Sequence, residues 1–112
     1  MRNNNWTSKE LKVVLLTTSR IKSSILGISI NSKLIKKGEL FIPIKGKKYD
    51  AHQFIERALS KGASYSLATQ NSYKKFKLKK LKKKIIIVKN IKHSLNNLAI
   101  YSRKNNNRQF FG

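Results

Sequence analysis

The sequence predicts a small α/β domain, in which strands alternate with helices around one sheet. Two short apolar runs, residues 40–44 and 85–88, have the composition of strands, and the segments around them carry helix caps and helical apolar spacing. The length of 112 residues is sufficient for one modest core. We therefore expect a single domain over residues 1–112, with a mixed sheet of about four or five strands flanked by helices.

The first elements follow from a cap and two strand patterns. Thr7 and Glu10 have the spacing of a capping box, and Trp6 is interpreted as a packing residue beside it. Residues 27–31 alternate in the period of a half-buried strand, and residues 40–44 form a second, almost wholly apolar strand. Because proline cannot donate to a strand ladder, Pro43 is expected at an edge or a bulge. The first helix should bury Leu11, Val14 and Leu15.

The later elements repeat this alternation of helix and strand. Asp50 is expected to cap a helix that ends at Gly62, and Asn90 to cap the last helix. Residues 64–68 and 85–88 are the third and fourth predicted strands. The two helices should bury Phe54, Ile55, Ala58 and Leu59, and Ile91, Leu95, Leu98 and Tyr101, respectively. We interpret the lysine-rich stretch between the last two strands as a solvated hairpin or loop.

The charge is strongly positive, with 26 Lys and Arg against 4 Asp and Glu and a net charge of +22. Nucleic-acid binding is one explanation, because clustered cations release counterions from a phosphate backbone. A general bias toward lysine at solvated positions is the other. The densest run, residues 74–84, contains no glycine and a single aromatic, Phe76, whereas RNA-binding proteins interleave arginine and stacking aromatics. We expect only non-specific contact with nucleic acid.

The composition also limits the cellular compartment of the protein and the kinds of site that it can form. The chain has no cysteine, which excludes a disulfide framework, a thiolate metal site and a cysteine nucleophile. No apolar run approaches the roughly 18 to 20 residues of a membrane span, and the first ten residues lack the apolar stretch of a signal peptide. A cytoplasmic location without a membrane span is therefore expected.

Several short motifs occur together in a consistent order. They lie at residues 28–33 (ISINSK), 37–42 (KGELFI), 44–46 (IKG), 49–55 (YDAHQFI), 61–63 (KGA), 87–90 (IVKN) and 98–99 (LA). In this order and spacing the chain resembles the amino-terminal domain of the Mur ligases, which extend the peptidoglycan stem peptide. The resemblance covers almost the whole chain. It departs from the family at Asn31, Lys33 and Pro43, where Asp, Arg and a small residue are usual.

The resemblance implies a binding role. Ser32 would hydrogen-bond the nucleotide part of a UDP-N-acetylmuramoyl-peptide, with Ile30 and Lys33 beside it, while a loop would close over the uridine diphosphate. That loop comprises Gly46, Lys47, Lys48 and Tyr49. A diphosphate sugar needs such a hydroxyl, free turn amides, cations and an apolar wall. We interpret Asp50 as a helix cap and His52 as a packed residue at the helix start.

The resemblance further implies a bacterial enzyme of cell wall biogenesis, with roles in cell shape and cell division. The early tryptophan and residues 49–52 favour the member that adds D-alanyl-D-alanine over the sister that adds the third stem residue. ATP and magnesium would serve the full-length parent and neither would bind this chain, which has no Gly-Lys-Thr loop to cradle phosphates. The end of the chain, residues 108–112, resembles the strand that leads into that loop. We expect missing central and carboxy-terminal domains and no catalysis by this chain alone; a basic nucleic-acid-binding module is the alternative from another class.

Overall fold

Four strands lie side by side in the order in which they occur along the chain, in a computed structural model that describes residues 5–44 and 51–104. They are β1 (Ile28–Ser29), β2 (Leu40–Phe41), β3 (Tyr65–Ala68) and β4 (Ile85–Ile87), and every neighbouring pair is parallel. The α/β class and the predicted number of strands are confirmed. The sheet is parallel rather than mixed; the antiparallel pairing found in the described ranges is an isolated bridge between Trp6 and Ile25.

The helices connect and cover these strands. They are α1 (Ser8–Leu15), α2 (Ile55–Ser60), α3 (Gln70–Lys75) and α4 (Ile91–Lys104), with 3₁₀ segments at Ala51–Phe54 and Leu78–Lys84. The predicted capping box is confirmed, because the Thr7 amide donates to Glu10 at 2.9 Å and the Glu10 amide donates to Thr7 at 3.1 Å. The Asn90 side chain caps α4 by accepting from the His93 amide at 2.8 Å.

The two faces of the sheet bury separate apolar clusters. Alternate strand residues divide between them, so that Ile86 faces the cluster beneath α1 and α4 while Ile85 faces the cluster beneath α2 and the Leu78–Lys84 segment. Trp6 is fully buried in the first cluster, with its ring centroid 5.4 Å from that of Tyr101. This confirms the packing interpretation of Trp6. A sheet covered on both sides explains why β2 and β4 are almost wholly apolar.

The lysine-rich stretch is helical, so the predicted hairpin or loop is wrong. The Thr69 hydroxyl accepts from the Ser72 amide at 3.2 Å and begins α3, and the 3₁₀ segment follows directly after Lys77. Leu78 is 3% exposed, and Phe76 and Leu81 pack on the same cluster, so widely spaced apolar residues anchor the stretch. The lysines around them are exposed. The dense charge therefore concealed a helical apolar spacing.

The expectation for Pro43 is also corrected. β2 is an interior strand, and Pro43 lies two residues beyond its end, neither on an edge strand nor within the ladder. The last ladder bond there is donated by the Ile42 amide to the Ser29 carbonyl at 2.9 Å. Pro43 is fully buried and interrupts no backbone pairing, because the strand has already ended.

Candidate functional site

The carboxyl ends of the four parallel strands define one edge of the sheet. In sheets of this type ligands bind outside this edge, where the loops that follow the strands converge. β1 ends at Ser29 and is followed by three predicted site residues, Ile30, Ser32 and Lys33. The neighbouring strand β2 ends at Phe41, and the chain continues from Ile42 through Ile44 toward the other predicted site residues. The topology therefore starts both predicted site segments from adjacent strands at the same edge.

The loop after β1 is a tight turn organised by Asn31. The Asn31 side-chain oxygen accepts from the Lys33 amide at 2.9 Å, and its carbonyl accepts from the Leu34 amide at 3.1 Å. The Ser29 hydroxyl accepts from the Asn31 amide at 3.2 Å and donates to the Asn31 carbonyl at 3.3 Å. An aspartate oxygen could accept the same bond from the Lys33 amide. Asparagine in place of the usual aspartate therefore retains the turn.

The side chains of this turn differ in their exposure to solvent. Ser32 is buried, with 8% of its surface exposed, whereas Ile30 is 40% exposed and Lys33 is exposed. Lys61, at the end of α2, donates from its ammonium to the Lys33 carbonyl at 2.8 Å. This contact was not predicted from the sequence, because the two residues lie 28 positions apart and meet only through the direction of α2. The turn is thus tied to a helix and supplies a sheltered hydroxyl beside an apolar and a cationic residue.

The second predicted segment lies outside the described residues. Gly46, Lys47, Lys48 and Tyr49 belong to it, as does Asp50 with its predicted role as a helix cap. The described chain on either side is well packed: Ile44 contacts the cluster beneath α1 and α4, and His52 is 6% exposed. The His52 ring stacks on Phe76 with centroids 6.2 Å apart, which confirms its interpretation as a packed residue.

The KGELF motif that precedes β2 has a structural explanation. The Glu39 carboxylate accepts from the Lys36 amide at 2.8 Å, and the Glu39 amide donates to the Lys36 carbonyl at 3.2 Å. Gly38 has φ of +86°, and a Cβ there would lie 2.8 Å from Leu26. Because these contacts close the turn at the opposite, amino-terminal edge of the sheet, the motif builds the start of β2 and supplies no group to the predicted site.

Tyr65, at the start of β3, also lies at that opposite edge. Burial alone would raise the pKa of its phenol, but the Ser23 hydroxyl, the amides of Lys22 and Ser23 and the Lys22 charge together lower the pKa below its ordinary value. The two amides donate to the phenol oxygen at 3.0 Å and 3.3 Å. The phenol therefore anchors the segment that leads into β1.

No three His, Asp or Glu side chains in residues 5–44 and 51–104 come together in a way that could hold a metal ion. None of the helices in those residues is both long and apolar enough to cross a membrane. In the described part of the candidate site, the Ser32 hydroxyl and the Lys33 side chain are groups that can bind an anion.

Sequence comparison with known proteins identifies the same family that the motifs indicate. Residues 24–106 match the family described as "Mur ligase family, catalytic domain". The UDP-N-acetylmuramoyl-tripeptide--D-alanyl-D-alanine ligase of Rickettsia prowazekii (strain Madrid E) is 33% identical over 105 residues, which cover 94% of this chain and 22% of the relative. The UDP-N-acetylmuramoyl-L-alanyl-D-glutamate--2,6-diaminopimelate ligase of Aquifex aeolicus (strain VF5) is 45% identical over 51 residues, 46% of this chain and 11% of the relative.

Solved structures agree on the fold. The crystal structure of MurF from Acinetobacter baumannii superposes with a TM-score of 0.69 at 18% identity, covering 95% of this chain and 22% of that chain. The chain thus spans about a fifth of the length of the Rickettsia and Acinetobacter proteins. The four-stranded parallel sheet with its helices is the fold of the amino-terminal domain of these ligases. On the family match over residues 24–106 and the Rickettsia alignment, the chain belongs to the Mur ligase family.

Proposed function

We propose that this chain binds the UDP-N-acetylmuramoyl-peptide substrate as the amino-terminal part of an ATP-dependent ligase that adds D-alanyl-D-alanine to the peptidoglycan precursor. The observation that carries the proposal is the turn at residues 31–34, which holds Ser32 sheltered at the carboxyl edge of β1. The Rickettsia relative, a tripeptide ligase by name, supports it because the alignment spans 94% of this chain.

The chemistry of the turn suits a nucleotide diphosphate. The Ser32 hydroxyl is available to donate to a ligand oxygen, Lys33 brings a positive charge, and Ile30 offers partly exposed apolar surface to a flat base. Lysine in place of the family's arginine keeps the charge but loses the two-pronged geometry, so its contact with phosphate would be less directional. Gly46 to Tyr49 would close over the same ligand from the neighbouring strand.

The ligation step itself belongs to the parent protein. The proposed reaction activates a substrate carboxylate with ATP and magnesium, and an amine then attacks to form an amide. This sequence has no Gly-Lys-Thr loop to cradle the phosphates of ATP, so we assign ATP and magnesium to the parent protein. We expect binding of the muramoyl peptide and no ATP hydrolysis by the 112-residue chain. The cytoplasmic location remains a prediction.

The sister ligase that adds the third stem residue is the second candidate. The Aquifex relative favours it locally, with 45% identity, but over less than half of this chain. The two candidates differ in the peptide carried by the preferred ligand. Calorimetric titration with the UDP-muramoyl tripeptide and with the UDP-muramoyl dipeptide compares them. Tighter binding of the tripeptide would favour the proposed function, and tighter binding of the dipeptide would favour the sister ligase.

The binding site is tested by substitution at the turn. Ser32→Ala removes one hydrogen bond to a charged ligand, about 1.5–3 kcal/mol, and should weaken binding of the UDP-muramoyl tripeptide about tenfold or more. Ser66→Ala is the matched control, because Ser66 is fully buried in β3 and its hydroxyl donates to the Leu67 carbonyl. Its affinity should equal that of the wild type. Equal affinity for wild type and Ser32→Ala would exclude the proposed contact.

A further inference from the structure

A groove of about 420 Å³ runs along the outer edge of β4, away from the turn at residues 31–34. Its apolar surface comes from Ile85, Ile87 and Tyr73, which belong to the strand and to α3. Ile85 is almost fully buried, whereas Ile87 and Tyr73 are partly exposed. The volume lies within the range of about 300–1,000 Å³ that is usual for small-molecule sites.

The rim of this groove is cationic. Arg20 and Lys22 come from the segment that follows α1, and Lys82 and Lys83 come from the Leu78–Lys84 segment. All four side chains are exposed, and none of the described residues that line the groove is acidic. An anion at the rim would therefore meet an excess of positive charge from two independent segments.

Backbone groups at the outer edge of β4 are already hydrogen-bonded, which disfavours pairing with another strand. The outward-facing amides of Ile85 and Ile87 donate to the Lys82 carbonyl and, at 2.9 Å, to the Ser19 hydroxyl. The Ile87 carbonyl accepts from Thr17 at 2.7 Å. A peptide that adds to a sheet needs these same backbone groups. The groove consequently presents side chains and suits a small molecule rather than an added strand.

We propose that this groove binds a small amphipathic anion, in which a phosphate or carboxylate is joined to an aromatic or aliphatic group. The apolar part would lie on Ile85, Ile87 and Tyr73, and the anionic part would meet Arg20 and Lys82. β1 and β4 are the opposite edges of the sheet, three strand spacings or about 14 Å apart. The groove is therefore separate from the proposed substrate turn, and its occupancy does not depend on the proposed function.

The test is a titration of the ¹⁵N-labelled 112-residue chain, followed by amide chemical shifts. Phenyl phosphate, an aromatic phosphate, and decanoate, an aliphatic carboxylate, are the two amphipathic probes. Inorganic phosphate and phenol each carry only one half of the proposed chemistry. Shifts should map to Ser19, Ile85 and Ile87, and at least one amphipathic probe should bind about tenfold more tightly than either partial probe.

Substitutions separate the groove from general charge. The double variant Arg20→Gln/Lys82→Gln should weaken the better probe about tenfold. The matched control is Arg103→Gln/Lys104→Gln, because it removes the same two residue types from exposed positions at the end of α4. Its affinity should change less than twofold. Tyr73→Ala should weaken phenyl phosphate severalfold with little effect on inorganic phosphate.

Three results would overturn the proposal. Inorganic phosphate binding as tightly as both amphipathic probes would show attraction by charge alone. Equal weakening by the two double variants would show that net charge, rather than the groove, determines affinity. Chemical-shift changes confined to residues 31–34 would show that the ligand binds at the other edge of the sheet. Surface substitutions should leave the dispersed amide spectrum intact, so loss of binding is distinguishable from loss of the fold.

Discussion

Replacement of Glu39 should destabilise the fold far more than replacement of Glu56, although both changes remove one carboxylate from a chain of net charge +22. Glu39 is 8% exposed and accepts from the Lys36 amide at 2.8 Å, so Glu39→Ala removes a charged hydrogen bond inside a turn. Such a bond contributes about 1.5–3 kcal/mol. Glu56 pairs with Lys80 at 3.0 Å, but the two side chains are 61% and 67% exposed, and such pairs contribute about 0–1 kcal/mol.

Urea unfolding followed by circular dichroism measures this difference. With a slope of about 1.5 kcal/mol per molar urea, a loss of about 2 kcal/mol lowers the midpoint by about 1.3 M. Glu56→Ala should lower it by about 0.7 M or less on the same basis. Glu39→Gln keeps an acceptor oxygen and should recover part of the loss. Equal midpoints for the two alanine variants would refute the assignment of Glu39 as the residue that closes the turn.

Three further predictions concern the backbone, a phenol and a helix cap. Gly62→Ala should lower the free energy of unfolding, measured with urea, by about 1–3 kcal/mol. The reason is that Gly62 has φ of +117° and a new Cβ would lie 3.2 Å from the Lys37 backbone. An unchanged urea midpoint would contradict this prediction. In absorbance titration at 295 nm Tyr65 should ionise below its ordinary pKa of 10.0. Its contribution to stability therefore grows as pH rises through the lowered pKa and is lost as pH falls. Subtracting the curve of Tyr65→Phe isolates its ionisation, and a difference curve centred at or above the ordinary pKa would contradict the prediction. Asn90→Ala should cost about 1 kcal/mol, or roughly 4–8 °C in Tm, whereas Asn96→Ala in the exposed middle of α4 should leave Tm unchanged or raise it. Equal losses at the two asparagines would remove the special role of the cap.

The predicted elements succeeded where their determinants are local. Thr7, Glu10 and Asn90 act on amides within three residues, so their spacing in the sequence is the interaction itself. Strand direction is different, because an apolar run does not indicate whether neighbouring strands are parallel or antiparallel. The prediction of a mixed sheet was wrong for that reason. The lysine-rich stretch failed because Leu78 and Leu81 are few among many charges, although burial of these few suffices to hold a helical segment.

For the candidate site, too, the sequence predicts the local features and misses the contacts that depend on tertiary structure. Ser32 and Asn31 follow β1 directly, so a motif predicts their place at the carboxyl edge. The bond from Lys61 to the Lys33 carbonyl depends on where α2 ends, which no local pattern states. The groove beside β4 is assembled from three separate parts of the chain and has no sequence signature. Sites of this second kind need the tertiary structure.

The packing of α1 against α4 has a consequence for synthesis on the ribosome. Tyr101 donates a hydrogen bond to Glu10, and its ring lies against Trp6, so the first cluster joins residues about ninety positions apart. At about 5–20 residues per second, roughly 5–18 s separate the appearance of the two helices. During that interval Trp6 and the apolar side of α1 lack their partner. A chaperone that binds exposed apolar segments would therefore meet this chain at its α1 segment before α4 emerges.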